Sequence, residues 1–204
     1  INAQEPTSGG WGYGSKLPST DPSNSQFALL ALHEAERQGI GIPPQTWHAA
    51  NIYWSSRQLG TGGWTYDSSF GPTPSVSMTC AGIASMVITQ GKQVNIEQRI
   101  IGGKVQCCNS NIIDDQIEKG LHWLARRIRV GSGAFTKDTS YFYYMYCIER
   151  VGRLTGKRYI GTTDWYRLGC EYIVNLQDEL RGSWTGSLAH GEHQPAVATS
   201  FALL

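Results

Sequence analysis

Residues 53–64 read YWSSRQLGTGGW, and this stretch decides the fold. It ends in the corner Gly62-Gly63-Trp64, which needs the permissive backbone of glycine. Related corners recur along the chain, and each is followed by a polar turn and an apolar helical segment. Their aromatic residues lie about 50 to 70 residues apart, a period that is typical of repeat proteins. The four corners end at Trp11, Trp64, Phe135 and Trp184.

Two kinds of helical segment alternate between the corners. Apolar runs predict buried helices, and intervening patterns with an apolar face every three to four residues predict amphipathic helices. The apolar set covers residues 24–38, 76–89 and 141–153 and begins again near residue 196. The amphipathic set covers residues 45–58 and 114–129 and a helix for which Asp164 is the expected N-cap.

A buried helix flanked by half-buried helices is what two concentric helical layers require. The predicted fold is therefore all-α, an α/α toroid: a partial or complete ring of helical hairpins with inner and outer layers. We expect one such domain over residues 1–204, and we expect it to belong to a longer chain. Residues 91–111 predict a long loop with a short helix, and no segment shows the alternation expected of a strand.

Composition excludes several classes of function. Charged residues make up 16% of the chain and the net charge is +1, so no electrostatic basis exists for binding nucleic acid or an anionic membrane. No apolar run approaches the roughly 20 residues of a membrane span. The five cysteines have no regular spacing, which predicts reduced thiols. Cys80 and Cys147 lie in apolar helical runs and are expected in the core, while Cys107-Cys108 leaves a redox or metal role open.

The repeated stretch resembles a known family. Residues 53–64 and residues 172–184, YIVNLQDELRGSW, are similar to the glutamine–tryptophan repeat of squalene–hopene-type terpenoid cyclases. Residues 9–11 and Phe135 match parts of further copies. The resemblance implies the α/α toroid shared by terpenoid cyclases and protein prenyltransferase β subunits. In this motif the Gln amide can join its own helix end to the next corner, and the Trp seals the junction, so we interpret it as a structural fastener.

The resemblance also implies where a cyclase would carry its acid. Such enzymes protonate an alkene with the middle acid of an Asp-x-Asp-Asp-Thr segment, which burial and neighbouring carboxylates keep protonated. The matching stretch, residues 21–32, reads DPSNSQFALLAL. Asp21 keeps the first acid, but Ser23 stands at the donor position and Asn24 follows it. Neither side chain is acidic enough to protonate an alkene, so the activity is lost or another hairpin supplies the acid.

Asp138 is the candidate replacement acid, because it precedes the aromatic segment YFYYMY at residues 141–146. Aromatic faces stabilise cations, so Tyr141, Tyr144 and Phe27 are the candidate ligand-binding residues. The alternative is that Asp138 is a helix N-cap and the aromatic residues are core.

Other kinds of site have weaker signals. Prenyltransferases bind zinc through Asp, Cys and His, but no Asp-x-Cys spacing occurs. The segment HGEH at residues 190–193 could hold a metal, although an exposed polar loop explains it more simply. No nucleophile elbow and no phosphate-binding glycine loop is present. We predict no metal site and no cofactor.

Three hypotheses for function follow. The first is a toroid domain that binds an apolar, isoprenoid-like ligand or a partner polypeptide in a central aromatic cavity. The second is an active isoprenoid enzyme, a cyclase or prenyltransferase, that uses a non-standard acid. The third is a polysaccharide-acting α/α-toroid enzyme, for which no motif is present.

Overall fold

The computed structural model describes residues 3–14, 20–66, 73–97, 99–101, 104–106, 115–130 and 140–204. Over these residues the chain is mostly helical, which confirms the all-α prediction, and helices alternate with repeated corners. The chain divides into two compact units, Ile1–Trp123 and Leu124–Leu204, and each unit is described by itself. The closed or partial ring, and the single domain over residues 1–204, stay predictions.

The first unit is built around a long central helix. Helices α1 (Pro22–Arg37) and α2 (Pro44–Ser55) both pack against α3 (Val76–Glu97). Two short antiparallel strands follow, β1 (Arg99–Ile101) and β2 (Lys104–Gln106). Helix α4 (Asp115–Ala125) begins in this unit and ends just past its boundary.

The second unit packs three helices together. Helix α5 (Tyr141–Thr155) contacts both α6 (Trp165–Asn175) and α7 (Pro195–Leu203). Between α5 and α6 lies a two-stranded hairpin, β3 (Tyr159–Ile160) and β4 (Thr163–Asp164). The Asp164 side chain accepts a 3.2 Å hydrogen bond from the Arg167 amide, so the predicted N-cap of α6 is confirmed.

Two details of the prediction were wrong. The segment expected to be a loop from residue 91 continues α3 as far as Glu97 and then forms the β1–β2 hairpin. Glycine in an exposed helix is tolerated at a modest penalty, so Gly91 did not act as a stop signal. The strands β3 and β4 were also missed, because two residues are too few for an alternating pattern to show.

Three of the four corners lie within the described residues, and they share one backbone hydrogen-bond pattern. Phe135, which ends the remaining corner, lies outside the described residues. We define the three described corners as the first corner (residues 4–11), the second corner (58–64) and the third corner (177–184). In the second corner the Gly62 amide donates to the Leu59 carbonyl (2.8 Å), and the Leu59 amide donates to the Gly63 carbonyl (2.9 Å). The equivalent bonds join Gly9, Glu5 and Gly10, and Gly182, Asp178 and Ser183. The φ angles of Gly9, Gly62 and Gly182 are 83°, 94° and 65°, so each corner requires glycine there.

A glutamine side chain closes each corner from within. The amide nitrogens of Gln4, Gln58 and Gln177 donate 2.8 Å bonds to the carbonyls of Gly9, Gly62 and Gly182. In the first corner the same nitrogen also donates to the Thr46 carbonyl in α2 (3.1 Å). In the second corner it also donates to the Gln116 carbonyl in α4 (2.7 Å). The first two corners are therefore bonded to a helix that comes later in the chain.

Trp64 and Trp184 are bonded to the helices on both sides of their corners, and Trp11 is bonded to the helix that follows its corner. The indole nitrogen of Trp184 donates to the Ile173 carbonyl near the end of α6 (2.7 Å), and Trp64 makes the equivalent bond to α2. The backbone amides of the three tryptophans donate to hydroxyls in the first turns of α1, α3 and α7. These bonds are Trp11 to Ser25 (2.8 Å), Trp64 to Thr79 (3.1 Å) and Trp184 to Thr199 (3.1 Å).

The two cysteines that were predicted to lie in the core are buried in the structure. Cys80 and Cys147 are buried and unbridged, and burial raises the pKa of the Cys147 thiol to about 12. Cys170 is exposed. Cys107 and Cys108 lie outside the described residues. Among the helices that the structure describes, none combines the length and the apolar character needed to cross a bilayer.

Candidate functional site

The second unit contains a cluster of aromatic side chains around the start of α5. Tyr141 and Phe142 pack edge to face with 5.7 Å between ring centroids, and Tyr141 meets Tyr172 of α6 at 4.6 Å. Met145 of α5, Trp184 of the third corner and Ala198 of α7 complete the buried core of this cluster. The aromatic residues of α5 are therefore held by both neighbouring helices of their own unit.

The structure places the predicted site residues in different surroundings. Tyr141 is buried in this aromatic cluster, and Tyr144 packs against its edge with its hydroxyl accepting a 3.0 Å bond from the Arg129 amide. Phe27 lies on α1 in the first unit with 43% of its surface exposed. Asp138, the candidate acid, lies outside the described residues.

An apolar cleft of about 290 Å³ opens between α5, α6 and the end of α7. Its walls include Met145 and Tyr146 from α5, Trp165 and Ile173 from α6, and Phe201 from α7. Further lining comes from the small or polar residues Glu149, Gly169 and Cys170. Because aromatic and aliphatic surface dominates the lining, the cleft favours an apolar occupant.

Fixed contacts hold the aromatic walls of this cleft. The Trp165 indole nitrogen donates a 2.8 Å bond to the Lys157 carbonyl, and the Tyr146 and Phe201 rings lie 5.5 Å apart. The Arg150 guanidinium lies 4.7 Å from the centre of the Tyr146 ring, a cation–π contact. Packing and hydrogen bonds of this kind restrict rotamers, so the walls are preformed.

A buried carboxyl group lies at the N-terminal end of α5. Glu192 has no exposed surface, and its Oε1 accepts a 2.7 Å bond from the Tyr143 amide in the first turn of α5. Burial raises the pKa of Glu192, although hydrogen bonds from the first-turn amides of α5 oppose that shift. Ser140, at the N-cap position, makes no side-chain bond to the described first turn, so Glu192 caps α5 from a distance of 49 residues.

The neighbouring histidine is also held against α5. The Nδ1 atom of His190 and the Ser140 hydroxyl are 2.7 Å apart and hydrogen-bonded, and the His190 ring stacks on Tyr143 with 4.9 Å between centroids. His190 has a φ of 53°, the one positive value for a non-glycine residue among those described. Backbone in this region is strained for residues other than glycine.

The segment HGEH is an exposed polar loop at its two histidines, as the sequence indicated, but not at Glu192. Glu192 is fully buried, so that interpretation was wrong for this residue. His190 is exposed and bonded to Ser140. Within the described part of the chain, no three His, Cys, Asp or Glu side chains are grouped so that they could hold a metal ion.

Asp21 is a helix cap in the structure. Its carboxylate accepts hydrogen bonds from the Asn24 amide (2.8 Å), the Ser23 hydroxyl (2.5 Å) and the Tyr66 hydroxyl. Burial raises the pKa of Asp21, but these hydrogen bonds outweigh burial and the pKa lies below its usual value. Asp21 is therefore an ionised hydrogen-bond acceptor, and Ser23 is one of its three hydrogen-bond donors.

Sequence reasoning missed most of this site. Cys170 and Ile173 lie within a segment recognised only as an amphipathic helix, and the sequence does not say which α6 residues face an opening. Glu192 gave no local signal, since its partner is 49 residues away.

The comparisons with known proteins add no relationship. No protein-family model, no curated protein and no solved structure matches this chain.

Proposed function

We propose that this chain is a helical-hairpin module of the α/α-toroid type, similar to terpenoid cyclases and protein prenyltransferases, that binds an apolar, isoprenoid-like ligand. The observation that carries the proposal is the cleft between α5, α6 and α7, with its aromatic and aliphatic lining. The repeated corners support the toroid type, because they join helical hairpins with one set of bonds.

The size of the cleft sets the size of the ligand. Its volume of about 290 Å³ is close to the lower limit for small-molecule pockets, roughly 300 Å³. It would take a short branched hydrocarbon or one end of a longer chain. Such a ligand would gain binding energy mainly from the apolar surface that it removes from water.

The test is binding of farnesol, followed by the fluorescence of the tryptophans and by calorimetry. Cys170 lines the cleft and is exposed, so Cys170→Phe should fill the cleft without disturbing the core. We expect Cys170→Phe to weaken binding about tenfold or more, whereas Cys170→Ser, which keeps the volume, should bind within about twofold of the native chain. Unchanged binding by Cys170→Phe, or no saturable binding by the native chain, would refute the proposal.

A second candidate is an active isoprenoid enzyme that uses Glu192 as its acid. The observation that favours it is that Glu192 is buried with a raised pKa, as an alkene-protonating acid must be. A β-carbon on Gly186 would lie 2.5 Å from the Glu192 Oε2 atom and 3.2 Å from the Phe142 ring, so an aromatic ring lies near the acid. Aromatic faces stabilise the cations that alkene protonation creates.

Product analysis separates the two candidates. The native chain is incubated with squalene and with shorter polyprenyl substrates, and extracts are examined by gas chromatography and mass spectrometry. Cyclised products that disappear in Glu192→Gln would establish the enzyme, and the parallel variant Asp138→Asn tests the acid that the sequence indicated. Farnesol binding without any product would favour the binding module.

A further inference from the structure

The first two corners are each covered by an amphipathic helix. A β-carbon on Gly9 would lie 2.2 Å from the Ala49 carbonyl oxygen of α2, and one on Gly62 would lie 2.5 Å from the Lys119 carbonyl oxygen of α4. Any side chain at these glycines would therefore collide with the backbone of the covering helix. This close approach is a reason for glycine that is separate from the positive φ.

In each of these two corners, the second glycine faces an aromatic ring of the covering helix. A β-carbon on Gly10 would lie 2.5 Å from the Tyr53 ring, and one on Gly63 would lie 2.9 Å from the Trp123 ring. Both covering helices thus present a large aromatic ring where the corner has no side chain.

The two covering helices dock in one register. Gln4 binds the Thr46 carbonyl, and Gln58 binds the Gln116 carbonyl. In both helices, the residue whose carbonyl approaches the first glycine comes three residues after the carbonyl that the glutamine binds. The residue with the aromatic ring comes seven residues after it. The covering helix is therefore recognised by one fixed set of contacts that is used twice.

The third corner has the same backbone bonds but is uncovered by any described residue. The Gln177 side chain is exposed, and the structure gives its nitrogen a single acceptor, the Gly182 carbonyl, among the residues it describes. Among the described atoms, the one nearest to a β-carbon on Gly182 would be the Gln177 nitrogen itself, at 3.9 Å. Leu180 beside it is 99% exposed.

We propose that the third corner is a docking site for an amphipathic α-helix of the α2 and α4 type. The second N–H of Gln177 would donate to a carbonyl in the first turn of that helix, as in the two covered corners. The assignment rests on continuity with an interface that this chain forms twice, and it is independent of the apolar-ligand proposal.

Ser183 sets the specificity of this docking site. It stands where the covered corners have Gly10 and Gly63, whose missing side chains make room for an aromatic ring. A serine β-carbon at this position removes that room. The partner helix must therefore carry a small side chain seven residues after its carbonyl acceptor, in place of the Tyr53 and Trp123 of α2 and α4.

The probe is a peptide of residues 43–58, the sequence of α2, prepared with Tyr53 and as Tyr53→Ala. Positions 48 and 52 are exposed in α2, so both peptides carry His48→Glu and Ile52→Lys, and condensation of these two side chains with loss of water forms a lactam bridge. The bridge holds the peptide helical, since free helices of this length are marginal in water. Binding to the full chain is followed by NMR at the Gln177 side-chain amide and the Gly182 amide.

We expect a reversal of preference. The native chain should bind the Tyr53→Ala peptide about tenfold more tightly than the Tyr53 peptide, and a Ser183→Gly chain should prefer the Tyr53 peptide. Ser183→Leu should abolish binding of both peptides. Because residue 183 is partly exposed, these variants leave the core intact, and circular dichroism provides the control.

Four results would overturn the proposal. The first is no shift of the Gln177 and Gly182 signals with either peptide up to about 1 mM. The second is peptide binding that Ser183→Leu leaves unchanged, and the third is a set of shifts centred on the cleft around Phe201. The fourth is a shift of the Gln177 signal with chain concentration before any peptide is added, because the occupant would then be a second copy of this chain.

Discussion

The indole nitrogen of Trp64 donates a 2.8 Å hydrogen bond to the carbonyl oxygen of Trp54, ten residues earlier in the chain. Trp54 lies in the last turn of α2, where carbonyl groups have no partner within the helix. The Trp64 side chain thus fills the core and also caps the preceding helix. Trp184 makes the same bond to Ile173 in the last turn of α6.

Replacing a corner tryptophan should destabilise its unit strongly. Trp64 is fully buried and Trp184 nearly so. Trp64→Ala and Trp184→Ala should each lower the free energy of unfolding by about 3–5 kcal/mol, the range for large core truncations. Urea unfolding followed by circular dichroism measures this loss. Unchanged transition midpoints for both variants would show that the indoles do not fasten the corners.

Two glycines of α3 provide a matched steric test. A β-carbon on Gly82 would lie 2.3 Å from the Trp64 ring, whereas one on Gly91 would have no described atom within 4 Å. Gly82→Ala should therefore lower the free energy of unfolding by about 1–3 kcal/mol through overpacking. Gly91→Ala should raise it by about 0.5–1 kcal/mol through helix propensity. Thermal melts of both variants decide the point, and equal melting temperatures would contradict it.

The corner glutamines should differ in importance although their sequence contexts are alike. Gln58 donates to the carbonyls of Gly62 and Gln116, and both acceptors lose that donor in Gln58→Met. This substitution should lower the free energy of unfolding by about 1–3 kcal/mol. Gln177→Met removes one exposed bond and should change it by no more than about 0.5 kcal/mol. Equal losses measured by denaturant unfolding would argue against the link between the second corner and α4.

The buried acid predicts a pH dependence with a defined sign. The pKa of Glu192 is raised in the folded chain above its ordinary value of 4.5, chiefly by burial. Below pH 4.5 the group is protonated in both states and its contribution to stability is fully present. As the pH rises the unfolded chain ionises first, so stability is lost until the raised folded pKa is passed.

Glu192→Gln is the control, because glutamine keeps the acceptor for the Tyr143 amide and cannot ionise. As the pH rises above 4.5 the native chain should lose stability relative to Glu192→Gln, measured by thermal melts at constant ionic strength. Parallel profiles for the two chains would show that Glu192 does not titrate abnormally.

The features that the sequence predicted are those with local causes. Gly62 precedes Trp64 because the corner needs a left-handed residue and then an indole, and both requirements fall within a few positions. Asp164 was identified as a cap because its acceptor role concerns Arg167, three residues away. The presence of the helices was predicted for the same reason, because capping residues and apolar periodicity are short-range signals.

The features that escaped prediction depend on distant partners. Glu192 looked like part of a solvated loop because charge and neighbouring glycine are typical of exposed turns. It is buried because the first turn of α5 lacks an acceptor and the chain brings one from 49 residues away. The cleft was hidden for a related reason: its walls come from three helices, and their faces are set by packing rather than by pattern.

The second donor of Gln58 has a consequence for how such a chain could be lengthened or recombined. Gln58 ties its own corner to α4, so the bonded partners enclose residues 58–116. Gln4 and the Thr46 carbonyl enclose residues 4–46 in the same way. A crossover inside either segment would separate a corner from the helix that covers it, whereas a crossover just after Tyr53 would keep both pairs together. Chimeras of this chain should therefore be spliced there, and the unit of exchange is a corner together with the helix that covers it.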